Sequence, residues 1–269
     1  MAESFSGGLV TGRRAVLELL KADKGAERVY MAQGLAPSSA LGEIRRRATQ
    51  ASIPVRSVPK AEIDRLTGRA NHQGVAARTG RYRYSSLESI LEGEAPRVLL
   101  LDGVMDPHNL GSLLRSAAVA GFDGVVVPSR RAVGVTDAAR RVSQGAAELL
   151  PVARVSNLSV AVTEAASAGA WVVGLDEGAE EDLWSSGALD PPLALVLGAE
   201  DKGLSIPIKR RCDALVRIPF GGGLRSLNVA VAGAIAMFEV ARRLKTDADV
   251  TSRAGAPEPT RHREPRRRE

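Results

Sequence analysis

The sequence predicts an α/β protein, with a parallel sheet covered by helices and a smaller α/β unit before it. Three observations carry that expectation. Runs such as RVLLLDGV (97–104), GVVVP (124–128) and LALVLGAE (193–200) are apolar without alternation, as strands buried on both faces are. Helix-like segments separate them, and strands alternating with helices give a parallel sheet. The 269 residues are 44% hydrophobic and 25% charged, enough apolar material for a sizeable core in one or two domains.

The first unit, residues 1–79, reads as helix 13–21, strand 27–31, helix 39–51, a short strand near Val55, helix 60–66 and strand 74–78. Residues 80–96 are polar and end in Pro96, which predicts a linker. The main unit, 97–246, opens with the 97–104 strand and a helix from Asn109 or Leu110 to Ala120, because Pro107 disfavours helix at Asp106 and asparagine is a good N-cap. The GVVVP strand and a helix 136–149 follow, then the strands AWVVGLD (170–176), LALVLGAE and ALVRIP (214–219) with flanking helices, and a last helix 226–244. Residues 247–269 read as a disordered basic tail. From Thr251 onward six arginines face three glutamates, which is half of the chain's +6 net charge, and three prolines interrupt them. Such a tail suits either solubility or salt-sensitive attraction to nucleic acid.

Composition excludes several classes. Aromatics are only 3%, so RNA recognition resting mainly on aromatic stacking is not expected. The single cysteine, Cys212, rules out an intramolecular disulfide, and no His/Cys cluster has metal-ligand spacing, so no metal is expected. The N-terminal residues MAESFSGGLVTGRR hold no apolar signal core, and no run is long enough to span a membrane. The expectation is a cytoplasmic protein. GxGxxG and GxSxG are absent, and GAEDKGLS fails as a phosphate loop because Leu204 and Ser205 follow Gly203.

Ligands of open parallel sheets bind beyond the strand C-termini, and three loops there are unusual. In DPHNLGSLLRSA, Arg115 lies off the apolar stripe and leans back over Gly111 and Ser112 toward the Asn109 loop. That suits a site cation, and equally a surface arginine on an ordinary helix. In LVLGAEDKGLS, Gly198 and Gly203 permit close backbone approach, and Glu200 could accept a hydrogen bond. In IPFGGGLRSLN, Gly221, Gly222 and Gly223 leave backbone groups free to bond a planar ring. Ser226 could cap the next helix, with Asn228 in its first turn. The Ala230–Ala236 run is small and apolar nearly all round, which suits a core helix or a subunit interface.

These loops, in this order, resemble the three motifs of the SpoU (TrmH-type) RNA ribose 2′-O-methyltransferases of the SPOUT class. The first matches through Asn109 and Arg115, the second through Gly198 and Glu200, and the third through Ile218, Pro219, Ser226, Leu227 and Asn228. GRRAVLELL and NHQGVAA make the first unit resemble the ribosomal-protein-like (L30e-like) RNA-binding domain of the subgroup that modifies a guanosine of 23S ribosomal RNA. The resemblance implies a C-terminal trefoil knot, and S-adenosylmethionine held by Gly198, Ile218, Leu227 and the glycines 221–223. It also implies an obligate homodimer with a composite site, and Asn109, Arg115, Glu200, Ser226 and Asn228 as the catalytic set. Arg115 is the proposed base of that family, yet a guanidinium is protonated in proteins, so contact with the ribose and charge stabilisation is the better role. Asp201, Lys202, Arg225 and Ala230 depart from the family pattern. A transfer-RNA ribose methyltransferase, a base methyltransferase, and a non-catalytic RNA-binding or ribosome-assembly protein on the same fold are the alternatives.

Overall fold

The computed structural model describes residues 8–22, 25–69, 71–80, 82–222 and 226–254, with side chains to residue 244. The first unit comprises β1 (Leu9–Thr11), α1 (Arg13–Lys21), β2 (Ala26–Ala32), α2 (Ser39–Gln50), β3 (Val55–Val58), α3 (Lys60–Leu66) and β4 (Val75–Thr79). Its sheet has the order β1-β4-β2-β3, with only the β2–β3 pair parallel. Leu19, Met31, Ile44 and Val75 are fully buried in its core. β1 is an addition to the sequence expectation: three residues are too short for a periodicity to register.

The segment expected to be a linker is packed structure. Tyr82 and Tyr84 meet edge to face at 4.9 Å. Ser85 bridges to Ala153, and Leu87–Leu91 forms α4, capped by Ser86. Tyr82 Oη donates to the Ala147 carbonyl at 2.8 Å, and Val135 N–H donates to Tyr84 Oη at 2.9 Å. Both tyrosines therefore satisfy their hydroxyls in the main unit while packing their half-buried rings against its core. Arg140 seals the junction between the units. It is buried, donates to Glu148 at 2.7 Å and to Thr79 Oγ1 at 2.6 Å, and lies 5.8 Å from the Tyr82 ring centroid.

The main unit runs β5 (Arg97–Asp102), α5 (Pro107–Ala120), β6 (Gly124–Pro128), α6 (Asp137–Ser143), α7 (Ala146–Leu149), β7 (Val152–Val155), α8 (Leu158–Ser167), β8 (Trp171–Leu175), β9 (Glu181–Asp182), β10 (Leu193–Gly198), α9 (Ile206–Lys209), β11 (Ala214–Arg217) and α10 (Val229–Ala254). Among the described residues its sheet has seven strands, all pairs parallel, in the order β7-β6-β5-β10-β8-β11-β9. One core, under α5, α6, α7 and α10, holds Leu99, Leu101, Leu113 and Met237; the other, under α4, α8 and α9, holds Leu100, Val126, Val172 and Ile208.

Three expectations change. α5 starts at Pro107 rather than Asn109: Asp106 is the cap, accepting from His108 N–H at 2.8 Å, and proline occupies the first turn, where it displaces no helical hydrogen bond. The 136–149 helix is two helices, broken where Gln144 and Gly145 take left-handed backbone. α10 continues to Ala254, eight residues into the segment expected to be disordered, because no glycine or proline intervenes before Gly255. The remainder of that tail lies outside the described residues.

Candidate functional site

The strand order reverses beside β5. β6 and β7 extend to one side of it, while β10, formed later in the chain, pairs on the other. Such a switch point opens a crevice at the strand C-termini. There Asp102 and Gly198 are direct cross-strand partners, so the first two motif loops leave the sheet side by side.

Gly198 is dictated by space. A Cβ there would lie 2.0 Å from the Gly203 carbonyl carbon and 2.2 Å from Leu204 N. The close approach lets Ala199 and Gly203 exchange backbone hydrogen bonds of 3.0 and 2.9 Å, which folds 199–203 into a tight loop. Asp102 fastens the far end of this loop by accepting from Ser205 N–H at 2.7 Å.

Three motif residues from three different loops join in one chain of hydrogen bonds. Asn109 Nδ2 donates to Glu200 Oε1 at 2.7 Å, and Asn228 Nδ2 donates to Asn109 Oδ1 at 3.0 Å. Asn228 Oδ1 in turn accepts from Ala230 N–H at 2.9 Å and Val231 N–H at 3.3 Å. Asn228 is therefore the α10 cap, the role expected of Ser226. Two side-chain dipoles and one carboxylate fix the relative positions of the first, second and third loops.

Beside this chain lies a cleft of about 580 Å³. Gly198, Glu200, Ile218, Ser226 and Leu227 line it, together with Asp176, Lys209 and Phe220. The volume falls in the range of small-molecule and cofactor sites. Asp176 is held by Lys209 Nζ at 2.5 Å and accepts from Gly178 N–H at 3.0 Å. The Asp176–Lys209 pair was missed in the sequence reading; its signal was an aspartate directly after the apolar β8 strand. Gly221 and Gly222 stand in open space beyond Phe220, and Gly223 and Arg225 lie outside the described residues.

Arg115 is exposed on α5, has no hydrogen-bond or ion-pair partner among the described residues, and lines neither this cleft nor the adjacent one. The structure thus brings together Asn109, Glu200, Ser226, Asn228, Gly198, Ile218 and Leu227, and leaves Arg115 apart from them on the same chain. The Ala230–Ala236 run also resolves. Gly233 and Ala236 face inward, where a Cβ on Gly233 would meet Leu113 and Leu197 at 2.5 Å. The outward face of α10 instead carries Val231 and Phe238, about half exposed. Among the described residues no cluster of His, Cys, Asp and Glu could hold a metal ion, and no helix is long and apolar enough to cross a membrane.

Comparison with known proteins agrees with this geometry. The family model described as the SpoU rRNA methylase family matches residues 96–238, and one described as RNA 2′-O ribose methyltransferase substrate binding matches 9–85. A putative TrmH family tRNA/rRNA methyltransferase of Bacillus subtilis is 40% identical over 240 residues, covering 87% of this chain and 95% of that one. Among solved structures, the AdoMet-bound rRNA methyltransferase from Sinorhizobium meliloti superposes with a TM-score of 0.77 at 26% identity, covering 89% of this chain and 88% of the other. The SpoU methyltransferase AviRb from Streptomyces viridochromogenes does so with 0.77 at 25%, covering 90% and 91%. The two matched segments correspond to the two packed units, and the first spans the crevice and every motif residue around it: this chain belongs to the SpoU methylase family.

Proposed function

We propose that this chain is an S-adenosylmethionine-dependent enzyme that methylates a ribose 2′-hydroxyl of RNA, on a guanosine of 23S ribosomal RNA, as a homodimer in the cytoplasm. The observation that carries the reading is the cleft beside β10, walled by side-chain-free Gly198 and bordered by the Glu200–Asn109–Asn228 hydrogen-bond chain. The residues present fit the cofactor. Gly198 leaves a backbone wall, Ile218 and Leu227 offer apolar surface to a planar ring, and Asp176 offers a carboxylate to hydroxyl groups. The C-terminal trefoil knot belongs to the same proposal, and the entry of β11 between the earlier strands β8 and β9 supports it.

Bound S-adenosylmethionine supplies a methyl group on a positively charged sulfonium. The chain's task is alignment and charge. Asn109, tied at both ends, holds the first loop against the second, and Ser226 presents its hydroxyl at the cleft. Orientation of this kind is worth up to ~7–11 kcal/mol in a displacement reaction. Arg115 acts by charge rather than as a base, because a guanidinium offers five N–H donors and no acceptor. It would stabilise the negative charge developing on the ribose oxygen while the hydroxyl proton passes to water or to an RNA phosphate.

The separation of Arg115 from its own cleft supports a composite site in which Arg115 serves the cleft of a second copy. The exposed Val231 and Phe238 of α10, with Val119 of the neighbouring α5, supply an apolar surface for that copy. The rRNA in the family's description and in the name of the Sinorhizobium meliloti neighbour supports ribosomal RNA, while the Bacillus subtilis relative carries the name tRNA/rRNA methyltransferase. The test is mass-spectrometric mapping of ribose methylation in ribosomal and transfer RNA from cells with and without the chain, paired with calorimetry of S-adenosylmethionine. Loss of one ribosomal 2′-O-methyl group is expected. A loss confined to transfer RNA would favour the second substrate, and cofactor binding with no lost methyl group would favour a binding protein.

A further inference from the structure

The loop Ala199–Gly203 is a shared wall. On its far side from the cofactor cleft lies a second, larger cleft of about 1040 Å³, at the C-terminal ends of β5, β6 and β7. Asn109 and Glu200 of the hydrogen-bond chain reach its rim, and the rest of its lining, which the mechanism above does not use, has a distinct chemistry.

Arg130 and Arg131 line it directly after β6, both exposed and with no hydrogen-bond or ion-pair partner among the described residues. Arg131 sits at φ 55°, a left-handed conformation that costs a long side chain on the order of 1 kcal/mol and that glycine or asparagine would take more readily. The acids around the cleft are largely engaged. Asp102 accepts from Ser205 N–H, Asp106 from His108 N–H, and Glu200 from Asn109. Only Asp201, next to Lys202, is an acid without such a partner. These carboxylates keep their charge, so the lining sets four acids against Arg130, Arg131 and Lys202, and its cationic part is the adjacent Arg130 and Arg131 directly after β6. Met105, 60% exposed, adds a polarisable apolar side chain suited to a planar ring.

We infer that this cleft takes a single-stranded nucleotide of the RNA substrate, its phosphodiester on Arg130 and Arg131 and its base against Met105. Arginine forks match phosphate oxygens, and unstacked bases are taken up on guanidinium planes and apolar side chains. The inference rests on the RNA-methylating reading, since the shared wall sets such a nucleotide next to Asn109 and Glu200. Its role is positioning: phosphate contacts fix register and leave the reacting atoms to the other cleft.

The experiment compares full-length wild type, the double variant Arg130→Ala with Arg131→Asn (asparagine keeps the left-handed backbone), the variant with both changed to lysine, and Met105→Ala. Each is assayed for filter binding to a 23S ribosomal RNA transcript across a salt series, for kcat and KM, and for S-adenosylmethionine affinity by calorimetry. The neutral double variant should keep cofactor affinity and kcat within about twofold and raise the RNA KM about 10- to 100-fold. It should flatten the plot of log affinity against log salt by about 0.7 for each phosphate released. The lysine variant should restore the slope but not the full affinity. Met105→Ala should raise KM several-fold with the slope unchanged. Unchanged KM and slope in the neutral double variant would overturn the inference, as would equal loss of cofactor binding. The two readings separate cleanly. Arginine-dependent RNA binding without methyl transfer would sink the methyltransferase reading and leave this cleft standing; methyl transfer insensitive to both arginines would do the reverse.

Discussion

Replacing Gly198 by alanine tests the geometry on which the whole site depends. The added Cβ would stand 2.0 Å from the Gly203 carbonyl carbon, 2.2 Å from Leu204 N and 2.3 Å from the Gly203 oxygen. All three are backbone atoms, so no rotamer change relieves the clash, and strand end and loop must part by about 1 Å or more to reach ordinary contact. That parting breaks the paired Ala199–Gly203 hydrogen bonds and pulls Glu200 away from Asn109. Overpacking costs ~1–3 kcal/mol and each of three lost hydrogen bonds ~0.5–1.5, so a loss of at least about 3 kcal/mol is expected. In a chain of this size that lowers Tm by about 6–12 °C. Because the moved loop walls the cofactor cleft, affinity for S-adenosylmethionine should fall about 100-fold or more.

Gly233→Ala is the control. Its Cβ would also meet atoms at 2.5 Å, but these are the ends of the Leu113 and Leu197 side chains, which can turn aside. The gain in helix propensity of about 1 kcal/mol offsets part of that strain. Its Tm should move by only a few degrees, with cofactor binding kept. Calorimetry and thermal unfolding on both variants decide the matter. Wild-type cofactor affinity and Tm in Gly198→Ala would refute the argument that this close approach builds the site.

Four further outcomes are expected. Arg115→Ala should abolish methyl transfer while sparing cofactor affinity, and Arg115→Lys should fail as well because a point cation lacks the planar fork; parallel loss of cofactor binding would make Arg115 structural instead. Val231→Glu with Phe238→Glu should convert a dimer to a monomer in light scattering and remove activity, and a wild-type chain that is monomeric at micromolar concentration would reject the composite site. Hydrogen bonds from Arg242 and then Arg243 hold the Glu239 carboxyl down to about 2. The stability this confers is complete above the ordinary glutamate range and is lost as pH falls from about 4.5 toward 2, so Glu239→Gln should flatten the acid limb of a Tm–pH profile. Finally, EDTA should leave cofactor binding and methyl transfer unchanged; loss of either on chelation would reveal a metal requirement.

The class of fold was legible in the sequence, and so were three unusual loops at the strand C-termini. Short, Val- and Leu-rich apolar runs bounded by turn residues and alternating with helical segments read as strands covered on both faces, so the parallel sheet was legible from the sequence. The loops after β5, β10 and β11 were marked by Asn109, Gly198 and Asn228, whose residue types suit turns and caps. The tertiary structure decided what those residues do to one another. Asn109 looked like a helix cap because asparagine is a good one; the cap is Asp106, and Asn109 instead joins Glu200 and Asn228, residues 91 and 119 positions away. No local pattern encodes a hydrogen bond between loops that meet only when β10 inserts beside β5. The same holds for residues 80–96, whose polarity suggested a linker. Tyr82 and Tyr84 pack there because partners for their hydroxyls come from the main unit, at Ala147 and Val135. It holds also for Gly233 of α10, which faces its own core because Leu113 and Leu197 stand opposite it. Sequence periodicity specifies which faces are apolar; which neighbour each face meets is set by strand order, and strand order is a property of the folded chain alone.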